Sequence, residues 1–310
     1  MYIPLHGHSS FSLLEAIAKI GKVVEKAKEF GMTAVGFTDY NGLYGSIDFY
    51  DYCKKAGIKP ILGIEIPLVQ DFSQKISSPG TVCILAKNDE GYANLIKLVS
   101  AANTIGSENG AKIDRATLKE YAAGLMVFLG GEKSLIAKML ETNAEQKKIQ
   151  DTIQQIINSI GKENFFLEIN AQNENNLPNI KTINEITLNL GEKLDIPVFV
   201  GNNYHYIKPD EKEAFEMALA IKDGLKLYDD QRRKVVGDYH FCDENNIITV
   251  MKKNNYSDEQ IKKRIDQTQI IADQINLSIN LGATYFPKYQ TPDRIEKLYN
   301  QQKEKLIIEG

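Results

Sequence analysis

Short apolar runs alternate along the chain with longer stretches in which apolar residues recur every three or four positions. The runs cover residues 2–5, 34–37, 61–69, 82–86, 125–129, 165–169 and 198–200. Each is rich in β-branched or aromatic residues, as a strand buried on both faces is. Between them the spacing predicts helices. Leu13, Leu14, Ile17, Ile20, Val23, Val24 and Ala27 fall on one helix face. Ser12 with Glu15 predicts a capping box at its start, and Gly31 a stop. Tyr92 to Val99, Ile149 to Ile157 and Ile183 to Leu190 read the same way. Seven strands with helices between them predict a parallel α/β architecture. Periodicity does not separate an open doubly wound sheet from a closed barrel, but no Gly-rich dinucleotide fingerprint follows the first run. After about residue 208 helical patterns dominate, one of them opened by Ser257 and Gln260, a second capping-box signature.

Polar residues at the ends of these runs carry the candidate chemistry. The first run ends in His6-Gly7-His8, and residues two apart in an extended segment point to one side. Gly7 leaves room between the two imidazoles. The second run ends in Thr38-Asp39-Tyr40, the third carries Glu65 between Ile64 and Ile66, and the seventh is followed by Asn202-Asn203-Tyr204-His205. In a barrel these strand ends converge on one face, where active sites form. His with carboxylate suits zinc, manganese or iron, and such a site can activate water toward a phosphoester. Each residue also has a plainer reading: Asp39 as a turn or N-cap residue, His205 as a core histidine between two tyrosines. A carboxylate at Glu65 in an apolar strand is costly unless paired or ligating. His240 has no comparable partners and reads as structural. Cys53 and Cys83 read as small buried apolar residues. The run Gln231-Arg232-Arg233-Lys234 reads as a solvated basic loop.

Composition narrows the class. Of 310 residues, 43% are hydrophobic and 25% charged, an ordinary globular mix. A net charge of −4 excludes a general nucleic-acid binder, which needs a dense basic footprint. Three widely spaced cysteines give neither a disulfide framework nor a zinc ribbon, which fits a cytoplasmic protein. No signal peptide is visible, and no apolar run reaches the ~20 residues of a membrane span.

The same residues carry a family resemblance. Leu5-His6-Gly7-His8-Ser9-Ser10-Phe11-Ser12-Leu13-Leu14-Glu15 resembles the opening motif of the PHP (polymerase and histidinol phosphatase) domain of bacterial DNA polymerase III alpha subunits. The likeness continues through Gly36-Phe37-Thr38-Asp39, Ala56 to Glu65, Gly91-Tyr92-Ala93-Asn94-Leu95, Phe166-Leu167-Glu168-Ile169 and Asn202 to Tyr206. Gly237-Asp238 and Phe286-Pro287-Lys288-Tyr289 resemble the segment leading to the polymerase palm. The resemblance implies a distorted seven-stranded (βα) barrel over residues 1–275 with a mostly helical C-terminal part. Residues 276–310 would be a linker and the start of the polymerase region. A helix from about Arg294 that runs without a cap to Gly310 fits a chain that is part of a longer one.

The resemblance also implies a partly eroded metal site. The family has a histidine where Tyr40 stands, a histidine at Thr81, a cysteine at Gly131 and an aspartate at Asn203. His6, His8, Asp39, Glu65 and His205 remain. These imply at most one weakly held zinc or manganese ion rather than a three-metal cluster. The expected role is a scaffold in DNA replication. Its implied partners are the remainder of the polymerase alpha subunit, a docked proofreading exonuclease and, through the parent protein, DNA. The competing expectation is a metal-dependent phosphoesterase or 3′–5′ nuclease built on the retained cluster. A free-standing histidinol-phosphatase relative fits less well, because the likeness extends beyond the barrel. No carboxylate constellation for nucleotidyl transfer is visible.

Overall fold

The computed structural model describes residues 1–73, 79–106, 110–282, 286 and 293–308. The first half contains α1 (Ile20–Glu29), β1 (Ala34–Tyr40), α2 (Ser46–Ala56), β2 (Lys59–Val69), β3 (Thr81–Ala86), α3 (Asp89–Thr104), β4 (Ile113–Asp114), α4 (Arg115–Glu120) and β5 (Leu125–Leu129). Then follow α5 (Leu135–Glu141), α6 (Gln146–Ile160), β6 (Phe165–Asn170), α7 (Pro178–Leu194), β7 (Val198–Gly201), α8 (Lys212–Lys222), α9 (Glu244–Lys253), α10 (Asp258–Gln274) and α11 (Asp293–Ile308). The chain divides into two compact units, Met1–Ser278 and Ile279–Gly310. The second holds α11, on the stretch where the sequence predicts a terminal helix. Of the palm-like motif only Phe286 is described; residues 287–289 lie outside the described residues.

The strands form one curled α/β sheet in the order β1-β2-β3-β5-β6-β7, with β4 added beside β2. The sheet is mixed rather than parallel. β1 and β2 are parallel, as are β5, β6 and β7, but β3 runs antiparallel to both β2 and β5. Residues 70–80 are too few for a strand–helix–strand crossover of a dozen or more residues, so β3 turns back on β2.

The seventh strand is also not the expected one. Residues 2–5 form no ladder. They run extended between β1 and the segment after β7: Gly36 donates to the Pro4 carbonyl (2.6 Å), Thr38 to that of Gly7 (2.9 Å), and His8 to that of Tyr204 (2.8 Å). Gly36 permits this approach, since a Cβ there would lie 2.6 Å from the Leu5 backbone. The N-terminal segment therefore fills the gap that the sheet leaves open.

Side-chain alternation separates two apolar layers. Val82, Ile84, Val127, Leu129, Phe165 and Leu167 face outward and pack with α3 and α6 through Leu95, Leu98, Ile153 and Ile156. Leu85, Met126, Phe128, Phe166 and Phe199 face inward with Ile3 and Leu5. Ile271, Ala272 and Ile275, at the end of α10, complete that inner core. α10 is capped as the sequence predicts, with Ser257 Oγ accepting from the Gln260 N–H and Gln260 Oε1 from the Ser257 N–H.

The predicted capping box at Ser12 and Glu15 does not form. α1 begins only at Ile20, and residues 12–19 are irregular. Ser12 Oγ donates to Asp39 Oδ1 (2.6 Å) and accepts from the Tyr40 N–H (3.0 Å), tertiary bonds that replace a local cap.

Candidate metal centre

His6, His8 and Glu65 meet at the end of the curl. Their ligand atoms lie within 4.8 Å of one another, and all three residues are buried. Glu65 reaches the site because it shares the inward parity of Ile61 on β2, while Ile64 and Ile66 face out. Its Oε2 lies 2.9 Å from His6 Nε2 and 3.0 Å from His8 Nε2, and its Oε1 accepts from the Thr81 hydroxyl at 2.6 Å. His6 Nδ1 donates to Glu168 Oε2 at 2.7 Å.

Glu168 was not among the candidates read from the sequence as site residues. The available signal is the one that marks Glu65: a carboxylate in an apolar strand, on β6, with the inward parity of Phe166. Cys83 is likewise more than apolar filling, since its Sγ lies 3.4 Å from His6 Nε2.

Burial lowers the His6 pKa, but Cys83 and Glu168 beside it more than reverse this and raise it well above the ordinary value. Burial favours a neutral Glu65, yet the His6 hydrogen bond and the close His8 imidazole hold its carboxyl well below the usual range. His8 is brought down to about 4 by burial, partly offset by Glu65. Its Nε2 is close to Glu65 but off the angle a hydrogen bond requires, so neither ring nitrogen of this buried imidazole has a hydrogen-bond partner. Buried polar groups without partners are rare and costly, and a neutral imidazole with one free ring-nitrogen lone pair beside a carboxylate fits a cation. His6, His8 and Glu65 are thus the residues that could hold a metal ion. Glu168 stands behind His6 as the carboxylate that orients a ligating imidazole.

The other candidates lie around this cluster with different partners. Asp39 follows the outward parity of Val35 and Phe37 on β1. It accepts from the Ser9 N–H (2.6 Å), the Ser9 hydroxyl (2.8 Å) and the Ser12 hydroxyl (2.6 Å). Burial raises its pKa to about 6 against these bonds. Tyr40, one residue on, faces inward and lies flat on His8, with ring centroids 3.9 Å apart. His205 Nδ1 donates to the Asn203 carbonyl (2.7 Å), and the Tyr40 hydroxyl donates to His205 Nε2 (3.3 Å). The His205 ring stands 4.7 Å from that of His8. Gly131 has φ +82°, and a Cβ there would lie 4.0 Å from His6 Cε1. Asn203 Oδ1 is buried without a partner.

His240, read as partnerless, has two partners: Asp238 Oδ1 at 2.8 Å and Cys242 Sγ at 3.4 Å. In the basic run, Arg232 pairs with Glu216 and Arg233 with Asp223.

The chain matches the PHP domain family over residues 4–172, more than half its length, and belongs to that family. It is similar to DNA polymerase III alpha subunits. It is 28% identical to that of Borreliella burgdorferi over 100% of this chain and 26% of the relative. It is 28% identical to that of Bacillus subtilis over 94% of this chain and 24% of the relative. The chain thus spans about a quarter of the length of the curated relatives it matches. Among solved structures, an amidohydrolase from Chromobacterium violaceum aligns at a TM-score of 0.45 and 11% identity, covering 66% of this chain and 88% of that one. Among the described residues no helix is long and apolar enough to cross a membrane.

Proposed function

We propose that this chain is the PHP module of a replicative DNA polymerase III alpha subunit, and that His6, His8 and Glu65 hold one zinc or manganese ion there as a mainly structural centre. The observation that carries the reading is His8, buried beside Glu65 with both ring nitrogens unpartnered. A bound ion there would supply Lewis acidity. The chain's own groups do the positioning: Glu168 orients His6, Thr81 orients Glu65, and Tyr40 covers the His8 ring.

A multi-ion cluster needs further donors, and the neighbours are committed elsewhere. Asp39 is held by Ser9 and Ser12, and His205 Nε2 accepts from Tyr40. Among the described residues no second group of three His, Cys, Asp or Glu brings all its ligand atoms within 4.8 Å of one another. On this reading the module serves the remainder of the alpha subunit and docks a proofreading exonuclease in the cytoplasm. DNA is reached through the parent protein, in keeping with a net charge of −4.

One observation favours a second reading, a metal-dependent phosphoesterase or 3′–5′ nuclease. A cavity of about 300 Å³ adjoins Tyr40 and His205, with Lys133, Arg233 and Lys234 in its wall. Cations there would suit a phosphate group.

Metal content after incubation with zinc or manganese and removal of free ion tests the first reading, with a His6→Ala/His8→Ala variant as control. One ion per chain, lost in the variant, is expected, with no release of nucleotide from a 3′-labelled DNA under excess manganese. Manganese-dependent release abolished by His8→Ala would establish the second reading. Metal-free protein in both forms would sink the metal centre.

A further inference from the structure

A second cluster lies outside the metal centre, in the strand-like segment that follows Gly237. Asp238, His240 and Cys242 are spaced two apart, so in this extended stretch they share one side. Tyr239 and Phe241 take the other side and are buried. The backbone is fixed on several contacts. Phe241 donates to the Tyr206 carbonyl (2.9 Å), and the Asp238 N–H and carbonyl are both bonded by the Gln172 side chain, at 2.6 and 2.7 Å.

The side chains form a relay. His240 Nδ1 donates to Asp238 Oδ1 at 2.8 Å, which leaves Nε2 as an acceptor facing Cys242 Sγ at 3.4 Å. His240 holds the Asp238 carboxyl below its ordinary pKa, so the orienting group is ionised. All three residues line a cavity of about 450 Å³.

We propose that Cys242 is a base-assisted thiol, a covalent modification site for small, neutral carbon electrophiles. Nucleophile, base and orienting carboxylate stand in the order that activates a thiol. Burial raises the Cys242 pKa well above the usual thiol value, so the resting group is the thiol and not the thiolate. Reaction therefore needs a base in place. As Sγ attacks carbon, its proton passes to His240 Nε2, and Asp238 steadies the imidazolium. With iodoacetamide the S–C bond forms, the C–I bond breaks and iodide leaves.

The other cysteines supply internal controls. Cys53 is buried on α2, and burial alone pushes its thiol up to about 12. Cys83 also faces an imidazole backed by a carboxylate, but His6 Nε2 is already bonded to Glu65, and Cys83 is not among the residues lining that cavity.

The full chain is treated with iodoacetamide, and labelling at each cysteine is followed by peptide mass spectrometry, with folding checked by circular dichroism. Cys242 is expected to react at least about a hundredfold faster than Cys53 or Cys83, the modest end of what a positioned base contributes. Asp238→Asn and His240→Gln should each remove that advantage, and Asp238→Glu should restore much of it. Equal rates at the three cysteines would overturn the proposal. So would a Cys242 rate unchanged by Asp238→Asn, a change at a largely exposed side chain.

Discussion

Tyr40 stacks on His8, with ring centroids 3.9 Å apart and planes 11° from parallel. The aromatic ring thus occupies the position next to a candidate ligand where the family resemblance places a histidine. Its hydroxyl engages His205 Nε2, and the Lys133 ammonium sits 4.2 Å over its other face. Tyr40 fills this corner of the site and takes up a lone pair that would otherwise face the centre.

Replacing Tyr40 should therefore separate packing from ligation. Tyr40→Phe keeps the stack and gives up one hydrogen bond, at a cost of about 1 kcal/mol. Tyr40→His puts an imidazole beside His8 and frees His205. Zinc affinity measured by competition with a chromophoric chelator should rise by roughly tenfold, the effect of about 1.4 kcal/mol. An unchanged or weaker affinity would mean that Tyr40 does not limit the site.

Ser12 links the loop before α1 to β1 through its bonds to Asp39 and the Tyr40 N–H. Ser12→Ala leaves the buried Asp39 carboxylate short of a donor, and loss of such a bond costs about 1–3 kcal/mol. Urea unfolding should show that loss, whereas a merely local helix cap at this position would leave Asp39 unaffected.

Gly7 lies between the two histidines, and a Cβ there would be 1.9 Å from the Tyr204 ring. Tyr204 is buried and its hydroxyl donates to the Gly36 carbonyl, so it has no easy retreat. Gly7→Ala should destabilise by about 3 kcal/mol, the upper range for overpacking. It should also lower metal content, because His6 and His8 ride on the displaced segment. A melting temperature equal to that of the unsubstituted chain would contradict this.

Glu15 pairs with Lys133 (2.7 Å) and with Lys222, and its carboxyl is lowered to about 2 although burial acts the other way. A depressed carboxyl stabilises the fold above the unfolded-state value near 4.5 and loses that contribution as pH falls toward 2. Both lysine ends are half-exposed, so solvent screening limits the effect to about 1 kcal/mol. The stability difference between the unsubstituted chain and Glu15→Gln should be constant above pH 6 and shrink steadily between pH 5 and pH 2. A difference independent of pH would show that the pairs contribute nothing.

Much of this architecture was present in the order of residues. The apolar runs at 34–37, 61–69, 82–86, 125–129, 165–169 and 198–200 all lie in strands, because β-branched and aromatic residues fit a sheet covered on both faces. The cap of α10 was legible in Ser257 and Gln260 because a capping box closes within four residues. His6 and His8 could be paired on spacing alone, and Glu65 was marked by its cost in an apolar strand.

Tertiary structure decided what depends on distant partners. Periodicity reports that a face is buried but not the direction of the neighbouring strand, so the reversal of β3 was invisible. Residues 2–5 have the composition of a strand, yet the space beside β1 left them only isolated bonds. Ser12 carries a good local cap signal, but the buried Asp39 carboxylate offered it a stronger partner. Glu168 became part of the centre only because the curl of the sheet brings β6 opposite His6, a contact spanning 162 residues of sequence. Alternation along β1 then sent Tyr40 inward and Asp39 outward, a choice of face that no single residue type announces.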